Sequence, residues 1–328
     1  FKEAVAQTRA TTTVNVLNTP PQWKVGQEGR EDPGSSTSTP TNSGSAMTWV
    51  GTAEDSNGAD FYLLICSGTS TPAEPVANNC AAPNCAPSTV QWGVSASTGS
   101  GVQATVSTTT IDRDLPSSFS ESNDWFAWIC DADAVNARCL TTYSTGTNAT
   151  NSSPFNVNSR PDFTDFYNDS PTDPGALVTF TATSSDLDTV VANDTVQLWV
   201  CAAQDFGTGT STTECGPGGT LGTSTLQASD PTASFTLPDP YQDQDYDAYG
   251  YIIDNHGHQA DGVFQASLAT ITVNNVAPSI NAAQISINGG VDMILTNAAT
   301  QTQNFTLSFV VDDSNSCENF SSGDEITD

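Results

Sequence analysis

The sequence predicts an all-β chain of tandem sandwich domains, on three observations. A connector of pattern N-x-x-P occurs at Asn18-Thr19-Pro20-Pro21, Asn158-Ser159-Arg160-Pro161 and Asn275-Val276-Ala277-Pro278. Short runs rich in Thr, Val, Tyr and Phe recur at roughly ten-residue spacing, separated by turn residues. Cysteines fall in local pairs placed to pin hairpins. Each connector follows a β-like run ending in Leu or Val, at 13–17, 155–157 and 271–273. Proline cannot donate to a ladder and pushes the residue before it towards an extended conformation. A strand that stops, an extended link and a fresh start punctuate a string of β-domains.

Taken in order, residues 1–18 are a lead followed by a strand, Thr11–Leu17. That strand resembles the last one before each later connector. It reads as the end of a preceding domain or as a donor strand. The first full domain spans 19–158. Its stretch 29–44 is Gly/Ser/Thr/Pro-rich and is expected to be an unburied loop. Strands are expected at 46–52, 60–66, 90–95, 101–109, 125–130, and 140–143 or 154–157. The second domain, 159–275, is expected to have strands at 177–183, 195–201, 224–227, 233–237, 246–253 and 262–273. Residues 276–328 start a third copy with a strand at 305–311, too short for a closed sandwich. Either the sequence is a window on a longer array, or another subunit completes the sheet by donating a strand such as Thr11–Leu17.

An internal repeat carries a resemblance. Asp124-Trp125-Phe126-Ala127-Trp128-Ile129-Cys130-Asp131 lies over Asp247-Ala248-Tyr249-Gly250-Tyr251-Ile252-Ile253-Asp254 without a gap. Asp, an aromatic two residues on and then an apolar run resemble strand F of immunoglobulin-like domains, where that aromatic locks a neighbouring corner. The runs from Asp60 to Cys66 and from Asp194 to Cys201 align as strand C. The inter-sheet cysteine pair of antibody domains is absent. The chain is thus similar to tandem immunoglobulin-like, PKD-like or cadherin-like repeats of prokaryotic cell-surface and extracellular fibre proteins. The fold this implies is a series of immunoglobulin-like β-sandwich domains joined by short N-x-x-P linkers.

Lys and Arg number 7 against 37 acidic residues, for a net charge of −30. That balance argues against nucleic acid, whose phosphates need basic neutralisation. It also argues against anionic membranes. It suits solubility and divalent cations. No run approaches the roughly 18 apolar residues of a membrane-spanning helix. No signal peptide is visible, and the sequence reads as a mature or excised segment. The eight cysteines predict bridges Cys66–Cys80, Cys130–Cys139 and Cys201–Cys215, with Cys85 the alternative partner of Cys66. Cys317 is left for a partner outside the segment. Such bridges imply an oxidising compartment, extracellular or at the cell surface. A zinc site is the other reading of the cysteines, but CxxC pairs are absent and histidines number 2. Sequons at Asn148, Asn151, Asn168, Asn193, Asn304 and Asn319 fit a secreted glycoprotein.

The candidate site is calcium at the domain junctions. Acidic turns follow the strands at 46–52, 177–183 and 305–311, strand B of each copy, at Glu54-Asp55-Ser56-Asn57, Asp186-Leu187-Asp188 and Asp312-Asp313-Ser314-Asn315. Others follow strand F, at Asp131-Ala132-Asp133 and Asp254-Asn255. In this class of sandwich both loops lie where the connector enters. Calcium takes six to eight oxygens in a flexible cage. The expected ligands are Asn18, Asp55 and Asp131 in the first domain, and Asn158, Asp186, Asp188 and Asp254 in the second. Asp and Asn also form turns without metal. His256-Gly257-His258 reads as a transition-metal pair beside Asp254 and Asp261, or as a hairpin turn. Trp125, Trp128 and Trp199 lie inside strand patterns and read as core rather than sugar platforms. Motifs of catalysis are missing: there is no G-x-S-x-G, H-E-x-x-H or phosphate loop. The expected function is non-enzymatic: a structural rod, filament or surface layer that self-associates. The alternatives are an adhesin or carbohydrate-binding module, with loops 29–44 or 208–225 as its contact surface, or an accessory region of a secreted hydrolase.

Overall fold

The computed structural model describes residues 17–73, 81–108, 120–148, 150–186, 188, 194–208, 213–239, 241, 244–260, 264–294, 302 and 304–315. The chain divides into two compact units, Phe1–Ser159 with Asp188–Ala192, and Arg160–Leu187 with Asn193–Asp328.

In the first unit the short strands β1 (Gln22–Trp23), β2 (Arg30–Glu31) and β3 (Thr41–Asn42) precede the long β4 (Met47–Glu54). β5 (Phe61–Cys66), β6 (Gln91–Val94), β7 (Gln103–Thr108), β8 (Ser122–Asn123), β9 (Phe126–Asp131) and β10 (Phe155–Asn158) follow. β1 and β2 pair along one edge of β4, and β7 pairs along the other. The facing sheet runs β6-β5-β9. Side chains alternate across a strand. Phe61, Leu63 and Ile65 of β5 therefore join Trp49, Val106, Trp125, Ile129 and Phe155 in the core between the sheets. Every β5 residue is buried, because its other face is covered too. There Leu64 and Cys66 pack with Cys85 and Trp128.

The second unit repeats the plan. β11 (Asp162–Asn168), β12 (Leu177–Ser185) and β15 (Thr232–Thr236) form one sheet. β14 (Thr220–Thr223), β13 (Val196–Cys201), β17 (Tyr249–Asp254) and β18 (Ser267–Leu268) form the other, in that order. β16 (Asp245–Tyr246) pairs with β19 (Ile271–Thr272). Alternate residues Val178, Phe180 and Ala182 of β12 meet Val196, Leu198 and Val200 of β13 in one core. Both units are all-β sandwiches of the immunoglobulin-like kind, with antiparallel main sheets and the aligned F strands β9 and β17 paired to β5 and β13. No helix of the described residues is long and apolar enough to cross a membrane.

The aligned F strands solve one packing problem in opposite ways. Ala127 packs against Gly29, where an added Cβ would lie 2.3 Å from the Ala127 Cβ. At the matching position stands Gly250, whose missing Cβ leaves room for the Phe166 ring, 2.7 Å from where that atom would sit. Phe166 cannot retreat, since it stacks on Phe180 at 5.9 Å. Gly250→Ala is expected to cost about 1–3 kcal/mol by overpacking. Urea titration checks it, and a loss no larger than that of a surface change would contradict this packing.

Beyond β19, β20 (Ser279–Ile280) pairs with β23 (Val311–Asp312), and β21 (Ser286–Ile287) with β22 (Leu307–Ser308). The predicted strand 305–311 is thus split in two.

Other expectations are also corrected. Cys66 bonds to Cys85, not Cys80, which lies outside the described residues; the other bridges are Cys130–Cys139 and Cys201–Cys215. Stretch 29–44 is not an unburied loop: it holds β2 and β3, and Glu31 is fully buried within it. The strand expected at 224–227 is displaced to β14, where Thr223 pairs with Trp199. The corner is locked by Trp125, one residue before the expected Phe126. Its indole N–H donates to Glu31 Oε1 at 2.6 Å.

Candidate functional site

The aspartate ending each F strand braces the turn after it. Asp131 Oδ1 accepts the N–H groups of Asp133 and Arg138, each at 3.1 Å. Asp254 Oδ1 accepts those of His256 and His258, each at 2.8 Å. His256-Gly257-His258 therefore sits in a turn, with Gly257 at φ +77°.

The B–C turns repeat as closely. Asp55-Ser56-Asn57 and Asp313-Ser314-Asn315 are the same tripeptide. In each, the first residue caps the third: Asp55 Oδ1 accepts from Asn57 N at 2.6 Å, and Asp313 Oδ1 from Asn315 N at 2.9 Å. The third residue then grips the position after the connector asparagine. Thr19 Oγ1 donates to Asn57 Oδ1, the Ser159 N–H and hydroxyl donate to Asp188, and Val276 N donates to Asn315 Oδ1.

At the linker end of the first sandwich Asn18 meets Asp131, and Asp55 lies near enough for its charge to bear on Asp131. Asn18 Nδ2 donates to Asp131 Oδ2 at 2.7 Å and to Asn136 O at 2.9 Å. Both amide hydrogens are thereby placed, so Asn18 Oδ1 is turned away from these acceptors. Asn18 Oδ1 and Asp55 Oδ2 are buried and accept no hydrogen bond. Burial pushes the Asp131 carboxyl above its usual range and the charge of Asp55 adds to this; the N–H donors and Asn18 work against it. Asp133, at the turn surface, is instead held low by the N–H groups of Asn136 and Val135.

The acidic residues of the second domain are placed differently. Within the second unit, carboxylate oxygens of Asp186, just after β12, and of Asp194 lie within 4.8 Å of one another. Asp194 was not expected there; its only sequence signal is a carboxylate just before a strand. Its Oδ1 lies 3.2 Å from His256 Nε2. Asn158 is fully buried, with Nδ2 donating to Asn42 Oδ1 at 3.1 Å. Asp261 lies outside the described residues.

Among the sequons, Asn148 and Asn304 are exposed. Asn148 Oδ1 accepts the Thr150 N–H and hydroxyl. Asn151 Nδ2 is engaged by Glu31 O, and Asn168 Nδ2 by Thr270 O, each at 2.9 Å. Asn193 and Asn319 lie outside the described residues. Trp125 and Trp128 are buried, so neither offers a sugar platform; Trp199 is half-buried against Phe206.

No protein-family model matches the chain, and no curated protein matches it. Two solved structures, each described as a marsupial T cell receptor, are similar to it. One shares 8% identity at a TM-score of 0.35, covering 79% of each chain. The other shares 9% at 0.25, covering 86% of this chain and 93% of that one. Scores this low carry no function across.

Proposed function

We propose that this chain is a structural, non-enzymatic part of an extracellular protein, its tandem sandwiches serving a filament, stalk or surface layer. The observation that carries the reading is how each core strand leads into a connector. In β10, Phe155 and Val157 are fully buried, and Asn158 of the connector follows directly. β10 also pairs in parallel with β3. In the second unit Ile271 and Val273 are buried before Asn275, and Val273 bridges Thr172 in parallel. Tension along the chain would shear these parallel contacts together rather than peel them one by one. Three local disulfides add to the support and fit an oxidising compartment.

Self-association belongs to the same reading. Val14 and Val16 stand to Asn18 as the buried Ile271 and Val273 stand to Asn275. Ile280, Ile287 and Leu307 on the short sheets of the C-terminal segment are about half exposed, at 52%, 49% and 50%. Residues Thr11–Leu17 of a second copy would add a strand there. Electron micrographs are expected to show filaments or sheets, and a variant without residues 1–17 is expected to stay monomeric in sedimentation. A parent chain that is monomeric at every concentration would overturn self-association.

A further inference from the structure

We propose that the linker end of the first sandwich binds a calcium ion through Asp55 Oδ2 and Asn18 Oδ1, with Asp131 as the residue that positions Asn18. Asp55 is only 7% exposed, and its Oδ2 is buried without a hydrogen-bond partner. An unpaired charged oxygen in that state is costly unless something compensates it. Asn18 Oδ1, from a separate segment, is buried and unpartnered too. Both orphaned atoms are oxygens, the donor type that calcium takes.

The roles of the aspartates differ. Asp131 Oδ1 is occupied by the Asp133 and Arg138 amides, and Oδ2 by Asn18 Nδ2. It fixes the amide so that only the Asn18 oxygen is left over. Asp55 Oδ1 is occupied by Asn57 N, which leaves Oδ2 for the ion.

A bridging water could satisfy two acceptors, but it brings no charge. Asp55 and Asp131 bear on each other electrostatically, and among the described residues neither is paired with a Lys or Arg. Lys24 is placed against Glu54 at 3.9 Å instead. A cavity of about 440 Å³ lined by Thr19, Pro20, Gln22, Glu54, Asp55 and Ser56 adjoins the site. It has room for the waters that would complete the coordination shell. A site with two protein oxygens and several waters belongs to the weak range of extracellular modules, with a dissociation constant on the order of 10⁻⁴–10⁻³ M.

Hydrogen exchange of the whole chain, followed by mass spectrometry, tests this. With calcium at about ten times the dissociation constant, exchange is expected to slow about tenfold in peptides covering 18–22 and 54–59. Asp55→Asn keeps the oxygen that caps Asn57 and is expected to abolish the response; Asn18→Ala is expected to weaken it. Unchanged exchange across β5 and β9 verifies that each variant folds. Asp162→Asn, on the second sandwich, is expected to respond as the parent does. Protection equal to that given by potassium chloride at matched ionic strength would overturn the proposal. So would a full response in Asp55→Asn, which would place the ion away from Asp55.

Discussion

Trp125→Phe is expected to destabilise the first sandwich by about 2–3 kcal/mol above neutral pH, and by less in mild acid. The indole donates to Glu31 Oε1 at 2.6 Å, and both side chains are fully buried. Ser35 holds the other carboxyl oxygen through its N–H at 2.7 Å and its hydroxyl at 2.9 Å. Burial nevertheless dominates and pushes the Glu31 pKa up to about 7, with the Ser35 and Trp125 bonds offsetting part of the rise. A carboxyl raised on folding binds protons more tightly in the native state. Its contribution is therefore complete below the ordinary Glu range and is lost as pH climbs through about 7. The loss is about 3 kcal/mol, from the size of the shift. Phe fills much of the Trp125 space but gives no donor, so its cost concentrates where Glu31 is ionised. Urea titrations at roughly pH 5 and pH 8 measure both effects. An equal loss at the two pH values would contradict the assigned bond. Glu31→Gln, which cannot ionise, should flatten the pH dependence while leaving one donor unmatched.

Removing the Cys66–Cys85 bridge by the double change Cys66→Ser and Cys85→Ser is expected to cost about 3 kcal/mol. The separation is 19 residues, and loop-closure entropy accounts for a term of that size. The consequence is also local. The bridge covers the outer face of β5 and β9, where Cys85 packs with Leu64 and Trp128. Without it, that face meets water, and β5 is buried on one side only. Thermal melts and binding of a hydrophobic dye read the two effects separately. Cys80→Ser is expected to stay within about 0.5 kcal/mol of the parent. A loss at Cys80 matching that of the double variant would mean that Cys66 pairs with Cys80.

The elements legible beforehand are those whose pattern is local. β5, β9, β13 and β17 are largely apolar runs, and the duplicated F-strand segments pair with β5 and β13 as their alignment implies. β11 was missed because a bulge between Phe163 and Asp165 breaks its period of two. Phe163 and Phe166, three positions apart, are therefore both buried. β2 was missed because Glu31 looks like a loop acid until Trp125 arrives from 94 residues away.

The connector, the repeated Asp-Ser-Asn turn and the convergence of Asn18 with Asp131 could all be read from sequence. They rest on spacing and on which ends of a sandwich its loops share. Only the tertiary structure decided which oxygens are already spent. Asn18 and Asp131 are 113 residues apart, and one carboxylate is occupied by backbone amides while its neighbour keeps a bare oxygen. Residue type sets how many bonds a side chain can make. The folded backbone around it sets how many remain.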